Sequence, residues 1–211
     1  MGTYKKGILG SFSGKVGTVV GSYWKGISYM RSLPGKRKGT PSAGQIEQQM
    51  KFATMIKFQE AFLALLTRTF VDGMLSPGNY AMRHNLKDAI TGVYPNFSVD
   101  YHKVLLSLGK LHNAGAPSIE SNGAGKIKFN WLDNSGDTDS AKATDKSILI
   151  AYCEETYEAV FTLSGPSRSA ESAVLNVALF GGKGVETFLA FISEDGKLVS
   201  RSTYLRNVMV E

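Results

Sequence analysis

"TFLAFISEDGKLVSRSTYLRNVMV", residues 187–210, sets two β-rich, largely apolar runs on either side of one short polar run. Short runs of that composition, bounded by turn residues, read as strands. The interruption, "SEDGKL" at 193–198, holds Asp195-Gly196, a dipeptide suited to the tight turn between antiparallel strands. The stretch therefore predicts a hairpin with strands over Thr187–Ser193 and Ser200–Val210.

Five more β-rich runs lie upstream: Lys103–Leu111, Lys126–Leu132, Ser147–Cys153, Ala159–Leu163 and Ala173–Phe180. Seven short strands parted by turn residues predict an antiparallel sandwich of immunoglobulin-like type over residues 100–211. The paired cysteines and central Trp of antibody domains are absent, so the prediction concerns architecture alone. Cys153 is the sole cysteine; it excludes a disulfide framework or a Cys-x-x-Cys pair and reads as a small core residue.

Residues 1–99 have a different character. "PGKRKGTPSAGQ" (34–45) breaks the composition, and Thr40-Pro41 reads as a helix N-cap followed by proline. Over Gln45–Val71, Phe52, Met55, Ile56, Phe62, Leu63, Leu66 and Phe70 recur at threes and fours, predicting one continuous amphipathic helix. "DGMLSPGN" interrupts, and Asn79–Thr91 predicts a second helix, stopped by Gly92 and packed on the first. The fold class expected is α+β: a glycine-rich hairpin or arm and two helices (1–99), then the sandwich (100–211).

The arm carries the unusual chemistry. Gly7, Gly10, Gly14, Gly17 and Gly21 would line one face of a helix, but each costs about 1 kcal/mol there relative to Ala, so extended structure is expected. In "KVGTVVGSYWKGISYMRS" (15–32), Val16, Thr18, Val20 and Trp24 are expected on one side, with Val19, Gly21, Tyr23 and Ile27 or Tyr29 on the other. Two readings stand: a twisted hairpin covering the core, or an arm that packs against another molecule.

Eight of the 24 basic residues fall in the first forty positions, which contain no Asp or Glu. The other sixteen face 18 acidic residues, so the net charge of +6 belongs to the arm and the rest of the chain stands at −2. Aromatic residues among those cations suit an anionic partner, whether nucleic acid or an acidic protein surface; a solvated basic hairpin is the plain alternative.

Catalytic motifs fail when tested. "GSFSGKVGTVVG" (10–21) has three residues, not four, between Gly10 and Gly14, and Val16 follows Lys15, so it is no phosphate-binding P-loop. No strand precedes it to make a dinucleotide site, and Phe12 occupies the centre of the would-be nucleophile elbow. Ser22 and Lys25 have the Ser-x-x-Lys spacing without its companion motifs, and Glu154 and Glu155 are expected on opposite faces of a strand. His84, His102 and His112 lack metal-ligand spacing. In "DNSGDTDSAKATD" (133–145), Thr138 and Thr144 stand where a calcium loop needs Gly and Glu, leaving a polar connection or a nonstandard calcium loop. No catalytic, cofactor or metal residue is assigned.

Taken in order, "GKVGTVVGSYWKGISYMRSLPGK", "TPSAGQIEQQMKF", "NLKDAITGVYP", "VDYHKVLLSLGKL" and "VSRSTYLRNVMV" resemble an uncharacterised family of about 210 residues typical of Bacteroidetes. That resemblance implies organisation and no activity. The combination of basic arm, helical middle and sandwich is also similar, part by part, to phage virion and other self-assembling proteins.

The function expected is a non-enzymatic structural or interaction protein with a protein partner or self-assembly. Tyr23, Trp24, Tyr29, Lys36, Arg37 and Lys38 are its contact residues. The alternatives are nucleic-acid binding by the basic arm and a carbohydrate- or ligand-binding sandwich. No apolar run is long enough for a membrane span, and the first residues do not form a signal peptide, so a cytoplasmic or virion-associated location is expected.

Overall fold

A computed structural model describes residues 2–4, 10–36, 39–70, 75–138 and 140–211. Contacts divide the chain into two compact units, residues 1–42 and 43–211. The division expected near residue 100 is not where the contacts part, because the helices share a core with the sheet that follows them.

The first unit is an antiparallel meander: β1 (Thr3–Tyr4), β2 (Phe12–Val16), β3 (Val19–Trp24) and β4 (Ile27–Ser32), hydrogen-bonded in that order. The second opens with α1 (Ala43–Glu60), α2 (Leu63–Thr69) and α3 (Pro77–Asp88). The single helix expected over 45–71 is thus interrupted. At Phe62 the backbone (φ −115, ψ 7) leaves the helical region. Its ring, fully buried, lies 5.0 Å from Phe58 and 5.3 Å from Tyr152. No glycine or proline marks this break; tertiary packing sets it. Phe52 and Leu63, expected in the buried stripe, are exposed.

Pro77 opens α3, where the missing N–H costs nothing. That helix ends earlier than expected, and Ile90–Thr91 belong to a hairpin of β5 (Ile90–Val93) and β6 (Asn96–Val99) instead. Gly92, at φ 92, sits where a Cβ would collide with the Asn96 carbonyl oxygen, so it is a close-approach glycine in a strand rather than a helix stop.

Seven strands follow: β7 (Gly115–Ser121), β8 (Lys126–Leu132), β9 (Lys146–Cys153), β10 (Glu158–Thr162), β11 (Ser172–Asn176), β12 (Gly184–Ile192) and β13 (Thr203–Met209). They form two antiparallel sheets, ordered β10-β9-β12-β13 and β11-β8-β7. Between the sheets lies one apolar cluster that includes Phe129, Trp131, Leu149, Cys153, Leu189 and Phe191. The opposite face of the four-stranded sheet, through Ile148, Ile150, Tyr152, Phe188 and Ala190, packs on Met55, Phe58, Phe62, Leu65 and Leu66 of the helices. Helices, four-stranded sheet and three-stranded sheet therefore make three layers.

Asp195-Gly196 turns the chain after β12: Gly196 takes φ 71, and the Asp195 carboxylate accepts from the Ser193 hydroxyl (2.6 Å) and the Lys197 N–H (3.1 Å). Those bonds, the Ser193 hydroxyl first, hold the Asp195 carboxyl down at about 2.

The strand expected over Lys103–Leu111 is absent. Val104, Leu105 and Leu106 are all buried, yet their segment is irregular and has no strand beside it. Buried backbone needs partners, and here side chains supply them. Asn85 grips Leu105 twice: its Nδ2 donates to the carbonyl at 2.9 Å and its Oδ1 accepts the N–H at 2.8 Å. The Thr69 hydroxyl donates to the Leu106 carbonyl (2.7 Å), and the Leu106 N–H donates to Ser202 Oγ (2.9 Å). This strap ties α2 and α3 to the segment before β13.

Asn85→Ala would leave two buried backbone groups unpaired, and a loss of about 3 kcal/mol is expected in urea unfolding. Asn85→Asp at neutral pH would fail as a replacement, since a carboxylate cannot donate to the Leu105 carbonyl.

Candidate interaction surface

Two turns shape the first unit. Gly17, at φ 59, holds the first central position of the β2–β3 turn, as a type II′ turn requires. Lys25 (φ 45) and Gly26 (φ 88) close β3 onto β4 with both central residues at positive φ, the type I′ requirement. Gly14 lies across from Gly21, and a Cβ on Gly21 would strike both the Phe12 carbonyl oxygen and its ring. Gly21 is therefore where two strands come too close for any side chain.

The turns also reset which residues share a face. Trp24 pairs with Ile27 and Ser22 with Tyr29, which puts Trp24, Ile27 and Tyr29 together. Lys15 pairs with Val20 and Val20 with Arg31, so both cations lie on that same face. Tyr23 falls on the other face with Val16, Val19 and Met30. The expected grouping of Tyr23 with Ile27 or Tyr29, against Trp24, is corrected: alternation does not run through a two-residue turn.

Nearly all of this unit is open to solvent. Gly21 is its one buried residue among those described, and all six residues of β4 are exposed. Tyr23 is 69 % exposed, Trp24 48 % and Tyr29 45 %, beside Ile27 and Met30 at 63 % and 71 %. Lys25 Nζ stands 5.3 Å from the Trp24 ring centre. A shallow groove lined by Thr18, Val19, Met30, Leu33 and Pro34 runs past the end of β4 to Lys36, which is exposed. Arg37 and Lys38 lie outside the described residues.

The other candidate residues lie in the body. The His84 ring sits 5.0 Å from Tyr80, and His102 4.5 Å from Tyr204. His112 offers its carbonyl oxygen to Arg168 (3.0 Å), and Cys153 is buried between the sheets. Glu154 and Glu155 occupy the turn after β9 rather than a strand. On β12 and β13, Glu186 accepts from the Tyr204 hydroxyl (2.7 Å) and Asn207 (2.8 Å), and burial first, then Glu186, pushes the Tyr204 phenol up.

Arg168, which no sequence motif singles out, is fully buried in a 3₁₀ turn (Arg168–Ala170) before β11. Its guanidinium donates to Asp145 (3.2 Å), Asn134 (2.6 Å) and the carbonyls of Asn113 (3.2 Å) and His112 (3.0 Å), and it lies 4.0 Å from the Phe191 ring centre. Burial pulls its affinity for the proton down, and Asp145 opposes that. Asp145, a member of the acidic 133–145 run, is thereby committed to an ion pair. Asp133 caps the Ser135 N–H (2.9 Å) in an exposed turn, and Asp139 lies outside the described residues. Among the described residues no group of three His, Cys, Asp or Glu side chains gathers as metal ligands.

The body is a layered α+β unit, and the N-terminal meander is a sheet of exposed aromatic, aliphatic and basic side chains. The chain belongs to a family of unknown function, DUF6266, which matches residues 11–206. No curated protein is significantly similar to it. Among solved structures it is similar to the fn3 domain of the human collagen alpha-1(XX) chain, at 6 % identity and TM-score 0.34, over 49 % of this chain and 90 % of that one. No helix among the described residues is long and apolar enough to cross a membrane.

Arg168→Ala would strand a buried Asp145 carboxylate and free two carbonyls, so a loss of about 4 kcal/mol is expected in urea unfolding. Arg168→Lys is expected to recover only a minor part, because one ammonium cannot span four acceptors held in a fork.

Proposed function

We propose that the protein is a non-enzymatic structural or interaction protein whose N-terminal sheet is the contact surface and whose body is a rigid mount. One observation carries this reading: the first unit exposes Tyr23, Trp24, Ile27, Tyr29 and Met30, and Gly21 alone is buried among its described residues. A unit of about 40 residues sits at the size below which disulfides, metal or association are ordinarily needed to hold it together. No cysteine lies in residues 1–42, since Cys153 is the only one in the chain. Association with another molecule would cover the side chains that this sheet exposes.

The body suits the role. Two facing sheets with connectivity β10-β9-β12-β13 and β11-β8-β7 support the reading of an immunoglobulin-like sandwich, here with helices laid over one sheet. The Asn85 strap and the Arg168 fork lock its irregular segments. Aromatic and arginine side chains on the N-terminal sheet are of the kinds that dominate interfaces.

Trp24→Ser with Tyr29→Ser tests this. The melting temperature is expected to stay within about 2 °C, because neither ring is buried, while association measured by light scattering is lost. Association unchanged by the pair of substitutions would contradict the reading.

A further inference from the structure

Strand β4 ends the sheet β1-β2-β3-β4, and no strand pairs with its outer edge among the described residues. Exposed edges are usually blunted by proline, a bulge or an inward charge. Ile27–Ser32, "ISYMRS", has no proline, pairs with β3 without a register shift, and carries a single charge, Arg31. Such an edge is a template for another strand.

The charge around it limits which strand. No Asp or Glu occurs before Glu47, and Lys15, Lys25, Arg31 and Lys36 all belong to this sheet or the segment leaving it. Two such arms would repel each other, so pairing of β4 with its own copy is disfavoured.

The chain holds a complementary edge. Strand β10 (Glu158–Thr162) ends the four-stranded sheet of the body, pairing with β9 alone among the described residues. Between Lys146 and Arg168 there is no basic residue, while Glu154, Glu155 and Glu158 cluster at the start of β10. Glu154, Glu155 and Glu158 are exposed, and β10 also lacks proline.

We propose that the occupant of the β4 edge is a second copy of this chain, whose β10 pairs with it antiparallel, and this rests on the contact reading above. Ile27–Arg31 and Glu158–Thr162 are both five residues. Laid antiparallel over that length, Arg31 meets Glu158 of the next copy and Tyr29 meets its Val160. The same direction carries Lys36 toward Glu154 and Glu155. Each copy offers one edge of each kind, so the contact either closes reciprocally between two copies or runs head-to-tail into a ring or filament.

The test is charge exchange in the full-length protein, with mass followed by light scattering through a dilution series, at low and high salt, and with the 260/280 absorbance ratio recorded. Arg31→Glu and Glu158→Arg, each alone, are expected to weaken association at least about tenfold. An equimolar mixture of the two variants, and the chain carrying both changes, are expected to associate again. Circular dichroism and melting should match the parent, as both side chains are exposed.

A monomeric parent, or single changes without effect, would overturn the pairing. So would failure of the mixture and the double variant to recover, or association that disappears with nuclease and a high absorbance ratio, which would assign the arm to nucleic acid. If charge exchange has no effect but the Trp24 and Tyr29 substitutions abolish association, the β4–β10 pairing falls and the contact reading stands. If neither changes it, both fall.

Discussion

Every residue from Ser147 to Cys153 is buried, and a strand with no solvent face has to be covered twice. In β9, Leu149, Ala151 and Cys153 point into the cluster between the sheets, while Ile148, Ile150 and Tyr152 point at the helices. Strand β12 divides the same way, through Leu189 and Phe191 against Phe188 and Ala190. A sheet with one wet face would have needed neither α1 nor the strap at 104–108. Here both become obligatory, and the strap's buried backbone in turn obliges Asn85, Thr69 and Ser202 to be where they are.

What the sequence disclosed follows from the same constraint. β-rich composition and turn residues placed β8, β9, β10 and most of β12 and β13 near their observed positions; the turn after β12 carries Gly196, while β9 turns into β10 through residues 154–157 without a glycine. Strand β7 escaped notice: Gly115, Ala116 and Pro117 give no alternation, and its register shifts between Gly115 and Ser118. "VLLSL" at 104–108 has the composition of a strand, yet a strand needs a neighbouring strand, and only the packed body reveals that this one has side chains for partners. The break at Phe62 is equally tertiary, since residues 61 and 62 contain no local breaker.

Of the proposed contact surface, composition disclosed the aromatic and basic content of the arm but not its geometry. Turn type decides parity: one pair of residues at positive φ, Lys25 and Gly26, moves Tyr29 to the face of Trp24 and away from Tyr23. Arg168 was invisible for a different reason. Its partners at 112, 113, 134 and 145 are brought together by three separate loops, and an isolated arginine in "GPSRSA" reads as an ordinary surface residue. Buried cations leave no mark in local sequence; they are recognised by the acceptors that surround them.

The arm and the body thus stand in contrast: one satisfies every layer internally, the other spends aromatic and aliphatic side chains on solvent. Amide hydrogen exchange of the full-length protein at low and high concentration measures that contrast most directly. The account predicts that the amides of Ile27–Ser32 exchange rapidly when dilute and become protected as concentration rises, while those of β9 and β12 stay protected throughout. Arm amides that exchange at one rate at every concentration would contradict it.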